Sequence, residues 1–294
     1  MQTRILLAAA AGLLVLIPVQ DAAASTPQLA VGPQYDTTHV YVTPGSVDAF
    51  TTSWLATFGG THTNPVQTDV TPTPSQTISE LILSPVGTVS VFDFTTPIPY
   101  PFGAERTGWL TTDLNLGVQQ ARKAGADVEV SPFDDPIGKD AVVEFPGGVH
   151  TQLYWHTTAP NYPALATVPE NRVYVSPDAA SDFLRSYLAF TRGHVTSDNN
   201  RADGTQIGRP GTTFRRIAVD SQFGKTLVVV SDGHLPYPFG RGVTGYQVSD
   251  LGTTLAKARA AGATVLYGPV LSNGRDTATV QFPGGYVAEI HDAA

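Results

Sequence analysis

One carboxylate and one imidazole near the C-terminus have residue types and a spacing suited to metal binding or proton transfer. Glu289 lies in an otherwise apolar segment from Tyr286 to Ile290. Burying a carboxylate is costly unless it is paired or bound to a metal ion, so we expect a functional role for Glu289 unless its side of the strand faces water. His291 follows two residues later and shares that side of a strand. Its imidazole can bind a metal ion or carry a proton near neutral pH.

Several other chemistries have no support in the sequence. The 294 residues include no Cys, which excludes thiolate chemistry and disulfides. The sequence has no glycine-rich phosphate loop, no Gly-x-Ser-x-Gly elbow and no Ser-His-Asp set. The net charge of −8 and the lack of a basic stripe argue against nucleic acid as a partner.

The chain contains a long internal repeat. Five motifs recur 137 residues further on: Tyr100-Pro-Phe-Gly at Tyr237, Thr107-Gly-Trp at Thr244, Asp113-Leu at Asp250, Ala121-Arg-Lys-Ala-Gly-Ala at Ala258, and Phe145-Pro-Gly-Gly at Phe282. Upstream, His39-Val-Tyr-Val-Thr-Pro matches Arg172-Val-Tyr-Val-Ser-Pro. A repeat in register over this length predicts two equivalent domains. Positions where the copies differ are candidates for a chemistry that one copy has lost.

Hydrophobic periodicity predicts the order βαβββ-βαβββ within each copy. The first strand covers Thr38–Val42, and Ser46 is expected to cap the helix that follows. Asp113 is expected to cap a second helix, Leu114–Ala124, which Gly125 ends in a left-handed conformation.

These elements predict an α+β fold with two tandem domains of eight strands each. The first domain covers residues 36–156 and the second covers residues 171–292. The proline-containing stretch 157–170 is the expected linker.

The N-terminus has the features of a cleaved export signal in residues 1–24. Arg4 precedes an apolar stretch, Ile5–Val19, and Ala22 and Ala24 provide a small-residue cleavage site. The apolar stretch would span about 22 Å as a helix, which is shorter than the roughly 30 Å hydrocarbon core of a bilayer. We therefore expect a secreted or periplasmic protein without a stable membrane anchor.

The repeated motifs resemble those of the vicinal oxygen chelate superfamily, which includes glyoxalases, extradiol dioxygenases, and fosfomycin and bleomycin resistance proteins. The similarity is carried by the opening strand with His39, the step from strand to helix at Asp113 and Asp250, the helix ending in Ala-Gly-Ala, and the closing hairpin that contains Glu289. The resemblance implies that pairs of βαβββ units curl into cups. It also implies a divalent metal on a cup floor, held by residues of first and last strands.

Transferred to this chain, the implied ligand positions differ between the copies. The first-strand position is His39 or Arg172, the last-strand position is Gln152 or Glu289, and the opening strand of the second unit offers Arg106 or Val243. Neither copy alone has a good ligand set. Members of the family also build cups across domains, and that pairing would bring His39 and Glu289 together as ligands of Zn, Fe, Mn or Ni.

The same crosswise pairing would collect Arg106, Gln152 and Arg172 in a second cup, as a degenerate or anion-binding site. His150 is two residues from Gln152 and would share its side of the strand. It is therefore a further ligand-binding candidate in that cup.

The resemblance implies a metal-dependent lyase, isomerase or ring-cleaving dioxygenase that acts on a small oxygenated molecule. The metal would be the Lewis acid, and Glu289 and His291 would be the catalytic residues. The alternative is a metal-free protein that sequesters a small molecule, as bleomycin resistance proteins do. A structural or interaction protein with vestigial pockets is a third class. We expect a monomer with pseudo-dimeric domain pairing, or a homodimer.

Overall fold

The structure is a computed structural model that describes residues 32–70, 73–135, 137–272 and 274–293. The export signal expected in residues 1–24 lies outside these ranges. Within them, no helix has both the length and the apolar character needed to cross a bilayer.

The first half of the chain, residues 32–156, contains two βαβββ units. The first unit consists of β1 (Thr38–Val42), α1 (Val47–Phe58), β2 (Thr61–His62), β3 (Val66–Val70), β4 (Ser75–Ser84) and β5 (Gly87–Phe94). The second consists of β6 (Gly108–Leu110), α2 (Leu114–Ala124), β7 (Asp127–Asp134), β8 (Gly138–Phe145) and β9 (Val149–His156). Residues 157–169 form no helix or strand.

The second half, residues 170–293, repeats this order. Its first unit consists of β10 (Glu170–Val175), α3 (Ala180–Thr191), β11 (His194–Asp203), β12 (Thr213–Ser221) and β13 (Gly224–Val230). Its second consists of β14 (Val243–Val248), α4 (Leu251–Ala260), β15 (Thr264–Ser272), β16 (Arg275–Gln281) and β17 (Val287–Asp292).

The two halves have the same strand order. Strands β10 and β14 pair and join the second half into one sheet of order β11-β12-β13-β10-β14-β17-β16-β15. In the first half a bridge between Thr38 and Thr107 makes the equivalent junction. The order there is β4-β5-β1-β6-β9-β8-β7, and two short strands, β2 and β3, both pair with β4 where the second half has the single strand β11. We call the sheet face that carries His39 the first cup and the face that carries Arg172 the second cup.

Alternation along β1 explains how the strands serve both a core and a cup. Val40 and Val42 are buried on the helix side of the sheet, so His39 and Tyr41 point into the cup. The same alternation on β9 puts Leu153 in the core and Gln152 in the cup.

The helices pack across the two halves. Helix α1 contacts α4, and α2 contacts α3. The first pair surrounds a core that includes Phe50, Trp54, Tyr246, Phe282 and Ile290; the second surrounds a core that includes Trp109, Phe145, Tyr187, Phe190 and Phe223. Each core therefore contains residues from both halves.

The expected crosswise pairing of units into cups is wrong. Strands complete their hydrogen bonds with neighbours in their own half, so each cup belongs to one half. The contact between the halves is made by the apolar sides of the helices, which are buried there away from water.

The predicted helix caps are partly confirmed. Asp113 Oδ1 accepts from Leu116 N at 2.9 Å, and Gly125 is left-handed with φ of 98°. Ser46 makes no cap hydrogen bond to α1. Asp93, from the neighbouring strand, accepts from Val47 N at 3.1 Å and caps α1 instead.

Candidate functional site

The floor of the first cup is built around a glycine. A side chain at Gly108 on β6 would put its Cβ 2.9 Å from His39 Nε2 and 3.2 Å from Gln152 Oε1. Strands β1 and β9 thus bring the imidazole nitrogen of His39 and the amide oxygen of Gln152 together above Gly108 of β6, which has no side chain to separate them. His39 is 4 % exposed, and the edge of its ring packs on Phe92.

A buried carboxylate orients His39. Glu105, 1 % exposed, lies 3.1 Å from His39 Nδ1 and accepts from Gly103 N at 3.1 Å. The Tyr41 hydroxyl also donates to it. Burial and then the Glu105 charge raise the pKa of Tyr41 well above its usual value, so Tyr41 keeps its proton. With Nδ1 held by Glu105, the imidazole presents Nε2 to the cup.

The first cup encloses a cavity of about 530 Å³. Seven of its described lining residues are Phe or Tyr, six are Asp or Glu, and none is Lys or Arg. The aromatic lining residues are Tyr41, Phe92, Phe94, Phe102, Phe133, Tyr154 and Tyr162; the carboxylates are Asp36, Asp69, Glu80, Glu105, Asp135 and Asp140. Its size is that of a small-molecule pocket.

The floor of the second cup is also built around a glycine, but its neighbours are ions. A Cβ on Gly245 would lie 2.9 Å from Arg172 Nε and 2.9 Å from Glu289 Oε2. Arg172 Nη2 is 3.0 Å from Glu289 Oε1, and His291 Nδ1 is 2.7 Å from Glu289 Oε2. The Thr277 hydroxyl also donates to Glu289.

A second carboxylate extends this network. Glu170 Oε1 lies 2.8 Å from Arg172 Nε and 2.8 Å from Arg275 Nη2. Burial opposes ionisation of Glu170, but Arg172 and Arg275 lower its pKa to about 2. Burial likewise opposes ionisation of Glu289, and Arg172 followed by His291 keeps its pKa below the usual value. Both carboxylates are therefore charged at neutral pH.

Apolar side chains fill the rest of the second cup. The cavity beside Arg172 has a volume of only about 30 Å³. Ile207, Phe214 and Val229 are buried there, and Phe239 packs against them. The second cup therefore has little room for a ligand.

The predicted metal pair of His39 and Glu289 is not formed. His39 meets Gln152 in the first cup, whereas Glu289 meets Arg172 and His291 in the second. The expected group of Arg106, Gln152 and Arg172 is not formed either. The Arg106 guanidinium lies 5.4 Å from the centre of the Tyr41 ring. The cause is the pairing of units within each half.

Neither floor suits the divalent metal that the resemblance implies. A catalytic metal site usually has three protein ligands and an open position. The first floor offers two such atoms, His39 Nε2 and Gln152 Oε1. In the second, the cation beside Glu289 is the guanidinium of Arg172, which repels a metal ion.

Among the described residues, one group of three donors could hold a metal ion: Glu129, Glu144 and His150. His150 Nε2 lies 3.1 Å from Glu129 Oε2 and 3.8 Å from Glu144 Oε2. Tyr100 contacts His150 Nε2 at 2.9 Å. His150 lies two residues before Gln152 on β9, so this group is beside the floor of the first cup and not on it.

Sequence reasoning missed Glu105 and Glu170, which orient the two floors. Glu105 directly precedes Arg106, and its counterpart in the repeat is Gly242, so comparing the copies could have singled it out. The proline-containing stretch predicts Glu170 as the last residue of the linker, and only the register of β10 with β14 places it in the second cup.

Comparison with known proteins identifies the fold. No family model and no curated protein sequence matches the chain. A mutant of 4-hydroxymandelate synthase from Streptomyces coelicolor is 12% identical with a TM-score of 0.60, covering 89% of this chain and 93% of that one.

Two further solved structures are similar. The Mn(II)-bound glyoxalase from Novosphingobium aromaticivorans is 12% identical with a TM-score of 0.54, over 88% of this chain and 82% of that one. 2,2',3-Trihydroxybiphenyl 1,2-dioxygenase from Sphingomonas wittichii is 11% identical with a TM-score of 0.53, over 89% and 90%. The chain therefore has the fold of the vicinal oxygen chelate superfamily, as its motifs predict.

Proposed function

We propose that the first cup binds a small oxygenated molecule and that His39 is the general base that acts on it. One observation carries the proposal: a buried imidazole, held at Nδ1 by Glu105, presents Nε2 to a cavity of about 530 Å³. The names of the three similar structures, a synthase, a glyoxalase and a dioxygenase, support an enzymatic role. From the export signal expected in residues 1–24 we infer that this activity lies outside the cytoplasm.

The geometry suits removal of a proton from a carbon next to a carbonyl group. His39 Nε2 takes the proton, and the electron pair of the broken C–H bond forms an enolate. The adjacent amide of Gln152 can bind an oxygen of the substrate. If the proton returns to another atom of the enolate, the reaction is an isomerisation. If the enolate instead expels a leaving group, the reaction is an elimination, as in a lyase. General-base catalysis of this kind contributes about 10²–10⁴-fold to a rate.

The test is deuterium incorporation in D₂O, followed by NMR. The probes are α-hydroxy ketones with and without an aromatic ring. We expect wild-type protein to speed exchange at the carbon next to the carbonyl, and His39→Asn to lower that rate by about 10²–10⁴-fold. His194 is exposed at the start of β11, so His194→Asn is the matched control. Equal rates in wild type and His39→Asn would refute the proposal.

A chelator arm of the same assay tests the metal-dependent alternative. The proposal expects exchange to persist after EDTA treatment, because the floor of the first cup does not supply a metal site. Loss of exchange with EDTA and with His150→Ala would instead favour an ion held by Glu129, Glu144 and His150, the donor group of suitable geometry.

A further inference from the structure

One end of the first-cup cavity is an aromatic corner around a carboxylate. Tyr35 lies edge-on to His156 and to Tyr162, with ring centroids 5.7 and 5.8 Å apart. Tyr154 contacts the same His156 ring at 5.1 Å. Four rings from three parts of the chain therefore meet at this end, and three of them line the cavity together with Asp36. We call Tyr35, Asp36, Tyr154, His156 and Tyr162 the cage.

Two buried polar atoms of the cage have no hydrogen-bond partner. Asp36 Oδ2 accepts from Ser90 Oγ at 2.8 Å, but Asp36 Oδ1 has no hydrogen-bond partner. His156 Nε2 is also without one and lies 3.8 Å from Asp36 Oδ1, and the His156 side chain is only 8% exposed. Buried polar groups in proteins are nearly always hydrogen-bonded, so these two atoms, which lie opposite each other at ion-pair distance, leave hydrogen-bonding capacity unused at this end of the cavity.

The charge around the cage is negative. No Lys or Arg is among the described residues that line the cavity, whereas six carboxylates are. Burial and then the charges of Asp135, Asp36 and Glu105 raise the pKa of Asp140 well above its usual value. Carboxylates that repel one another in this way favour a ligand of opposite charge.

We propose that the cage binds an organic ammonium group, so that the small molecule taken by the first cup carries a positively charged nitrogen as well as oxygen atoms. The faces of aromatic rings attract such a cation, and Asp36 supplies the counter-charge. This inference rests on the proposed function of the first cup. It names the class of ligand that the cup accepts.

The test compares two probes of the same shape and different charge. Choline carries a trimethylammonium group, and 3,3-dimethylbutan-1-ol has a neutral carbon in place of its nitrogen. Isothermal titration should show choline binding at least about tenfold more tightly, which corresponds to about 1.4 kcal/mol. Equal affinities would overturn the inference and leave the proposed function standing, because a neutral oxygenated molecule would still bind in the cup.

Variants locate the cation. Asp36→Asn and Tyr162→Leu should each weaken choline binding by about tenfold, whereas Tyr162→Phe keeps a ring face and should bind as wild type does. Asp69 lies in the same cavity and accepts from Gln76, so Asp69→Asn is the matched control for general negative charge. If Asp69→Asn weakened binding as much as Asp36→Asn, the cage would not be the site.

A last variant separates this inference from the proposed function. His39 is not part of the cage, so His39→Asn should bind choline normally while losing deuterium exchange. Choline binding lost in His39→Asn but kept in Asp36→Asn would contradict the cage. Absence of choline binding to the wild type would also overturn it, and the exchange assay would still decide the role of His39.

Discussion

The two cups are built from equivalent strands around equivalent glycines, yet one encloses a cavity and the other is filled. In the first cup His39 and Gln152 converge over Gly108 beside about 530 Å³ of space. In the second, Arg172 and Glu289 converge over Gly245. The two floors differ at two positions: the first strand carries His39 or Arg172, and the last strand carries Gln152 or Glu289. His39, held at Nδ1 by Glu105, presents Nε2 to the cavity, whereas the Arg172 guanidinium supplies a positive charge beside Glu289.

The same contrast appears in the repeated Tyr-Pro-Phe-Gly loops. Phe102 of the first loop lines the cavity of the first cup. Phe239 of the second loop packs into the apolar cluster that fills the second cup. One motif therefore frames a pocket in one copy and closes it in the other.

The largest effect should come from breaking the ion pair of the second cup. Glu289→Ala leaves the buried charge of Arg172 with one carboxylate fewer, and we expect a loss of about 3–5 kcal/mol in the free energy of unfolding. Replacing both partners, as Arg172→Met with Glu289→Leu, should cost much less. Urea unfolding of the single and double variants measures the difference.

The control for that experiment lies in the first cup. Gln152→Ala removes a neutral amide that lines a cavity, so its cost should stay within about 1.5 kcal/mol. A double variant of the second cup as unstable as Glu289→Ala would contradict the pairing of Arg172 with Glu289.

The two cups should respond to pH with opposite signs. Arginines hold the pKa of Glu170 at about 2, below its usual value of 4.5. The network therefore stabilises the fold above the usual pKa, and about 3 kcal/mol is lost as the pH falls toward 2. Burial raises the pKa of Asp140. The stability that the protonated Asp140 contributes is therefore lost as the pH rises above the usual pKa of an aspartate.

Unfolding curves across this pH range test both signs. Glu170→Gln should flatten the acid loss of stability. Asp140→Asn should stabilise the protein at neutral pH, because it removes the cost of a buried charge. For each variant, the difference from wild type in the free energy of unfolding is plotted against pH. If the two plots had slopes of the same sign, the two cups would not respond oppositely to pH.

A smaller effect should follow from changing the cation of the second floor. Arg172→His removes the guanidinium and adds an imidazole to Glu289 and His291, and two imidazoles with one carboxylate form a known metal-binding set. We expect Zn²⁺ at about 100 times its Kd to stabilise this variant by about 2.7 kcal/mol. Thermal shifts with and without zinc measure it. Arg172→Gln removes the charge without adding a ligand, so zinc should not shift its melting temperature. Equal shifts in the two variants would refute the idea that the new imidazole binds zinc.

Much of the fold follows from the sequence because local signals determine it. The bounds of β1, α1 and α2 agree with hydrophobic periodicity, and Asp113 and Asp250 cap their helices as their positions predict. Strand parity also puts His291 beside Glu289. Local sequence predicts Ser46 as the cap of α1, whereas the actual cap, Asp93, is distant in sequence and cannot be found from local signals.

The candidate site was less predictable because it depends on which strands become neighbours. Periodicity shows which side a residue faces but not which strand lies opposite. His39 and Glu289 were therefore combined on an assumed pairing. The actual partners, Glu105 for His39 and Arg172 for Glu289, follow from sheet register within each half.

The crosswise packing of the helices has a consequence for the origin of this chain. Helix α2 is the counterpart of α4, so contacts of α1 with α4 and of α2 with α3 are related by a two-fold axis between the halves. A half-length ancestor would bury the same surfaces by joining a second copy through one self-complementary interface. Gene duplication would then have fused an existing dimer. In a fused dimer the two copies can carry different residues at one position, as His39 and Arg172 do in this chain.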